Sequence, residues 1–99
     1  MSGYRLQRSA RQDLRGIYRH IARDNPSAAA RLLERFYEHF RFLAANALAG
    51  ELRTDLGPTV RLFSVGNYVI VYRPEKAGIT VAHVVHGARD LDALLKPSH

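Results

Sequence analysis

The dipeptide Gly66-Asn67 lies between two β-rich runs, Val60 to Val65 and Tyr68 to Arg73, and no other local feature restricts the chain as sharply. A two-residue connection of this type matches the twist of neighbouring antiparallel strands, so the two runs are expected to pair as a hairpin. Pro74-Glu75-Lys76-Ala77-Gly78 makes the next turn, and Ile79 to His86 reads as a third long strand that Gly87 breaks. The residues from 88 to 95 then give a short terminal helix, with Leu91, Leu94 and Leu95 apolar and Pro97 beyond it.

Upstream of Gly50 the period is helical. Tyr4-Arg5-Leu6-Gln7-Arg8 alternates and predicts a short opening strand. Ser9, with Gln12 three residues on, has the form of a capping box, and Ala10, Leu14, Ile17, Tyr18 and Ile21 recur at helical spacing, which predicts a first helix from about Ala10 to Arg23. Asp24-Asn25-Pro26 stops that helix and starts another, with Asn25 as cap and Pro26 at the first helical position. Ala29, Leu32, Leu33, Phe36, Phe40, Leu43 and Ala47 mark the buried face of the second helix, and Gly50 is placed to end it. A joint this short predicts an antiparallel helix hairpin. Glu51 to Thr59, containing Gly57-Pro58, reads as a loop. The order implies one α+β domain over 1–99, with a helix hairpin over one face of an antiparallel sheet.

Composition narrows the chemistry. At 99 residues the chain supports a single core, and the lack of cysteine excludes a disulfide framework, cysteine-ligated zinc and a thiol nucleophile. Net charge is +6, from 15 Lys plus Arg against 9 Asp plus Glu, which favours acidic partners without choosing among nucleic acid, membrane and protein. No apolar run has the length of a membrane span, and the first residues lack a signal-peptide pattern, so a cytoplasmic location is expected.

Four segments together resemble one known family. They are Tyr4-x-Leu6-x-x-Ser9-Ala10-x-x-Asp13-Leu14-x-x-Ile17, the joint Asn25-Pro26-x-Ala28-Ala29, the hairpin Val60-Arg61-x-x-x-Val65-Gly66-x-Tyr68-x-Ile70-x-Tyr72-Arg73, and Val84-Val85-His86-Gly87-Ala88-Arg89-Asp90. In order and spacing they resemble the RelE/ParE superfamily of toxins from bacterial type II toxin–antitoxin systems, and its ParE branch most closely. One departure is Ala47-Leu48-Ala49-Gly50, where members often carry a proline. The resemblance implies an N-terminal strand, an antiparallel helix hairpin on an antiparallel sheet, and a short C-terminal helix. It also implies a growth-inhibiting toxin neutralised by a ParD-like antitoxin with an acidic C-terminal segment. ParE-like members poison DNA gyrase, whereas RelE-like members cut messenger RNA on the ribosome.

Metal-free RNA cleavage needs a base, an acid and cations for the developing phosphorane charge. RelE-like toxins place an arginine in the second hairpin strand and often a tyrosine near the C-terminus; here the strand position is Val69 and no tyrosine follows Tyr72. Gyrase inhibition without catalysis is therefore the expectation, with a nuclease using Arg61, His86 and Arg89, or an inactive toxin-fold binding module, as the alternatives. No cofactor or metal is expected. His83 and His86 have the look of a metal pair, but their odd separation sends them to opposite faces of a strand. Sequence-specific nucleic-acid binding is not expected either, since no recognition motif is present.

For contact with target or antitoxin the candidates are Arg61, Phe63, His86, Arg89, Asp90, Arg11, Arg15 and Arg19. Arg11, Arg15 and Arg19 stack along one side of the first helix, either as a solvated face or as a platform for an acidic partner. Arg89 and Asp90 open the terminal helix, where Asp90 suits the helix dipole and both suit a contact surface. Arg61 shares a strand face with Phe63 and Val65, expected to be the face that the helices leave open to a peptide.

Overall fold

The computed structural model describes residues 3–95 and, within the last helix, every side chain but those of 88, 89, 92 and 95. Its elements are β1 (Gly3–Leu6), α1 (Arg8–Ala22), α2 (Pro26–Ala45), β2 (Glu51–Leu52), β3 (Arg61–Val65), β4 (Tyr68–Glu75), β5 (Gly78–His86) and α3 (Gly87–Leu95). One five-stranded sheet has the order β1-β5-β4-β3-β2. Four of its strands are antiparallel neighbours. β1 instead runs parallel to β5, which makes the sheet mixed rather than wholly antiparallel. The reason is connectivity: β1 and β5 are joined through two helices and three further strands, so no hairpin forces them antiparallel.

The hairpin forms as its turn requires, with Val65 opposite Tyr68 and Gly66 at φ 58°. At the helix joint the Asn25 side chain accepts the Ala28 N–H at 3.0 Å, and Pro26 opens α2. The helices lie on one face of the sheet, α1 against α2 and β5, α2 against β1 and β5. Between the layers sit Ala10 and Leu14 of α1, Phe36, Phe40 and Leu43 of α2, and Val65, Ile70, Tyr72, Ile79, Val81 and Val84 of the sheet. Each large apolar side chain fully buried here contributes about 1.5–3 kcal/mol.

Three sequence expectations are corrected. The capping box at Ser9 does not form: α1 starts at Arg8 with Gln7 in the cap position and without a side-chain cap bond. Gln7 is still tied to the sheet, its N–H donating to the Val81 carbonyl at 2.9 Å, so the helix begins directly where β1 leaves off. The segment read as a loop after Gly50 contains β2, which pairs with β3 through Glu51 opposite Leu62 and Leu52 opposite Arg61. The third concerns parity. Phe63 and Val65 face the helices: Val65 is in the core, and the Phe63 ring lies 5.7 Å from His39 and 5.9 Å from Phe42 of α2. β3 is apolar at Leu62 as well as at Phe63 and Val65, so its own pattern does not choose a face; α2 takes the side on which Ile70 and Tyr72 also lie.

Candidate partner-binding surface

The register of β4 on β5 slips between Val71, opposite His83, and Tyr72, opposite Val81, leaving Ala82 as an extra residue. Beyond Val81 no strand among the described residues lies beside this edge of β5, because β1 ends at Leu6. Side chains of α1 take over there. Ser9 Oγ donates to the Ala82 carbonyl at 2.6 Å, and Asp13 Oδ2 accepts the Val84 N–H at 3.0 Å. His83 Nδ1 lies 3.0 Å from the same Asp13 oxygen. One turn apart on α1, Ser9 and Asp13 thus lock the helix to β5 and fix which side of α1 remains outward. Farther along, Asp90 Oδ2 accepts the His86 N–H at 3.2 Å and anchors the start of α3.

The outward side of α1 forms a groove with α2. Leu6, Leu14, Tyr18, Leu33 and Tyr37 supply its apolar lining and Arg11, Arg15 and Arg19 its charge, around a volume of about 580 Å³. Of the apolar set read on the first helix, Ala10 and Leu14 are buried and Ile17 and Ile21 half-buried, while Tyr18 remains 37% exposed. A stripe wider than the core can cover is what a partner helix needs: an apolar seat with cations beside it. One nitrogen of Arg11 donates to the Leu6 carbonyl at 2.8 Å, which holds its guanidinium near the end of β1.

The other candidates lie elsewhere. Arg61 is turned to the chain after α2, where one terminal nitrogen donates to the Gly50 carbonyl at 2.7 Å and to the Leu48 carbonyl at 3.3 Å. His86 is exposed, and its ring stands edge-on to Tyr68 at 4.9 Å. Phe63 lies in the helix-facing layer, and the side chain of Arg89 is outside the described residues. Arg61, His86 and the arginines of α1 are therefore not gathered into one catalytic cluster. Among the described residues no group of three or more His, Asp or Glu stands close enough to hold a metal ion, and no helix is long and apolar enough to cross a membrane.

A residue named in the sequence only as part of the hairpin motif, with no role assigned, is Tyr72. Its hydroxyl donates to the Ala47 carbonyl at 2.8 Å and accepts the Gly50 N–H at 2.8 Å, so this core side chain pins the chain leaving α2. Burial raises its pKa above the usual tyrosine value, opposed by the Gly50 N–H and by Arg61. Burial likewise raises that of Tyr68. The glycine belongs here for space: a Cβ on Gly50 would lie 2.6 Å from the Tyr72 hydroxyl and 2.7 Å from the Leu62 carbonyl.

The model of the family described as ParE toxin of type II toxin-antitoxin system, parDE, matches residues 4–91. The chain belongs to the ParE toxin family. Its fold is similar to that in a chromosomal ParDE toxin–antitoxin system from P. aeruginosa, with a TM-score of 0.73, 22% identity, and 88% of this chain and 97% of that chain covered. It is also similar to a chain of the toxin–antitoxin complex RelBE2 from Mycobacterium tuberculosis, with a TM-score of 0.63, 22% identity, and 86% and 96% covered. No curated protein sequence matches the chain. As a ParE-family chain it is a toxin of a type II system, with an antitoxin as its partner. Ser9, Asp13 and the joint at Asn25-Pro26, all part of the family resemblance, are the groups that set α1 and α2 on the sheet and so shape the groove.

Proposed function

We propose that this ParE-family toxin acts in the cytoplasm by binding DNA gyrase rather than by cutting RNA, and that a ParD-like antitoxin silences it by laying an amphipathic helix in the groove between α1 and α2. One observation carries the choice of target. Val69 occupies the strand position at which the RNA-cutting branch places an arginine, and Arg61, the cation that would replace it, donates to the carbonyls of Leu48 and Gly50. An aliphatic side chain gives no stabilisation to a phosphorane, and a guanidinium held by two carbonyls is turned to a structural task. For the antitoxin, the apolar lining supplies affinity, while Arg11, Arg15 and Arg19 steer an acidic segment and raise the association rate.

The test is a pair of assays on the purified toxin. Loss of gyrase supercoiling with accumulation of cleaved plasmid, and intact message in a translating extract, is the expected result. Ribosome-dependent cleavage of message with gyrase unaffected would overturn the proposal, and so would a chain harmless to both and to growth when expressed without its antitoxin.

A further inference from the structure

A second basic site lies at the end of the sheet remote from the Gly66 turn. Pairing sets Arg5 of β1 opposite Thr80 of β5, and Thr80 opposite Arg73 of β4, so the three form one row across adjacent strands. Their chain neighbours Tyr4, Leu6, Tyr72, Ile79 and Val81 pack in or against the core, which by alternation puts the row on the face turned away from the helices. Strands spaced about 4.8 Å apart separate the backbones of Arg5 and Arg73 by about 10 Å, with Thr80 between them. Gln7 and, from the first turn of α1, Arg11 border the same hollow of about 460 Å³, in which Leu6 is the one apolar side chain among the described residues.

Positive charge is in excess there. Among the described residues neither the Arg5 nor the Arg73 side chain has a hydrogen bond or an ion pair. The carboxylate of Glu75 accepts the Thr80 hydroxyl at 2.9 Å and keeps its negative charge, but Arg5, Arg73 and Arg11 outnumber it, and the first turn of α1 adds no acid.

We propose that this corner binds phosphate groups of a nucleic-acid backbone. The contrast with the α1/α2 groove decides the ligand class. That groove has five apolar side chains beside its arginines, the anchors a peptide needs. The corner has guanidinium groups around a polar hollow, which match phosphate oxygens in bidentate geometry and give a wet contact without anchors. Binding through phosphate reads no bases, so the site is expected to be indifferent to sequence. It is measured on the toxin alone and stands apart from the choice of gyrase as target.

Fluorescence anisotropy with a labelled DNA duplex at 0.1 M salt tests it, using the full chain, Arg5→Ala, Arg73→Gln, and Arg41→Ala as a control that removes the same charge from an exposed position on α2. Each phosphate neutralised contributes about 0.9 to the slope of log affinity against log salt, so either corner substitution should weaken binding about 8-fold and reduce the slope by about that amount. The control should change affinity less than about 2-fold, and thermal midpoints establish that every variant is folded. Single-stranded RNA losing affinity in the same two variants supports the site equally and names RNA as an occupant. Equal losses in all three variants, which would mean diffuse attraction to a basic protein, overturn the proposal. So does an absence of binding, or polyglutamate peptide binding more tightly than duplex through the same two arginines.

Discussion

Tyr72 joins three parts of the molecule through one oxygen. The ring fills the core while the hydroxyl satisfies Ala47 and Gly50 in the chain beyond α2. Tyr72→Phe keeps the ring and leaves a buried N–H and a carbonyl short of a partner, so urea unfolding should show a loss of about 1–3 kcal/mol. Alkali gives a second reading. Since burial raises the tyrosine above its ordinary value of 10.0, the unfolded chain loses this proton first. The stability it contributes is therefore full below pH 10.0, and declines as pH rises through the higher folded value. Tyr72→Phe should flatten that part of the profile, leaving a smaller decline from Tyr68, also raised by burial. A loss below about 0.5 kcal/mol, with an unchanged alkaline limb, would show that the two bonds matter little. Gly50 stood out in the sequence as a helix stop, yet α2 ends at Ala45 and the glycine is needed where the Tyr72 hydroxyl and Leu62 carbonyl approach. A contact across 22 residues leaves no trace in local spacing.

At the scale of elements, the seam between α1 and β5 determines how the groove is presented. Asp13→Ala removes the acceptor of the Val84 N–H and of His83, and Ser9→Ala leaves the Ala82 carbonyl without its donor. Each should cost about 1–3 kcal/mol, with Asp13→Ala the larger because a charged acceptor is lost. Hydrogen exchange should localise the loosening to residues 82–86, and uniform exchange across the sheet would contradict the seam. The hairpin, the helix joint and the tail helix were legible because each depends on residues two to four apart, such as Gly66-Asn67 or Asn25 with Ala28. Ser9 misled because its hydroxyl suits a cap as well as a bulged carbonyl 73 residues away. The face of Phe63 was not legible either: β3 is apolar on both sides, and only the docking of α2 chooses between them.

Across the whole molecule the +6 charge separates into two chemistries. On the helix side it flanks apolar surface at Tyr18, Leu33 and Tyr37, and on the far side of the sheet it surrounds a polar corner at Arg5 and Arg73. The family was readable from motif order, and the structure adds the reason for part of that order, since Ser9, Asp13 and Asn25 orient both helices. The site was less legible, because grooves arise from elements that pack and not from neighbours in the chain. As proposed above, this toxin acts by occupying gyrase and not by turnover. Titrating it against a fixed amount of gyrase, well above the dissociation constant, and following supercoiling over time separates occupancy from turnover. Inhibition is expected to grow in proportion to toxin, to saturate near one toxin per binding site on gyrase, and not to deepen with incubation. Complete loss of supercoiling from a small molar fraction of toxin, progressing with time, would contradict that expectation.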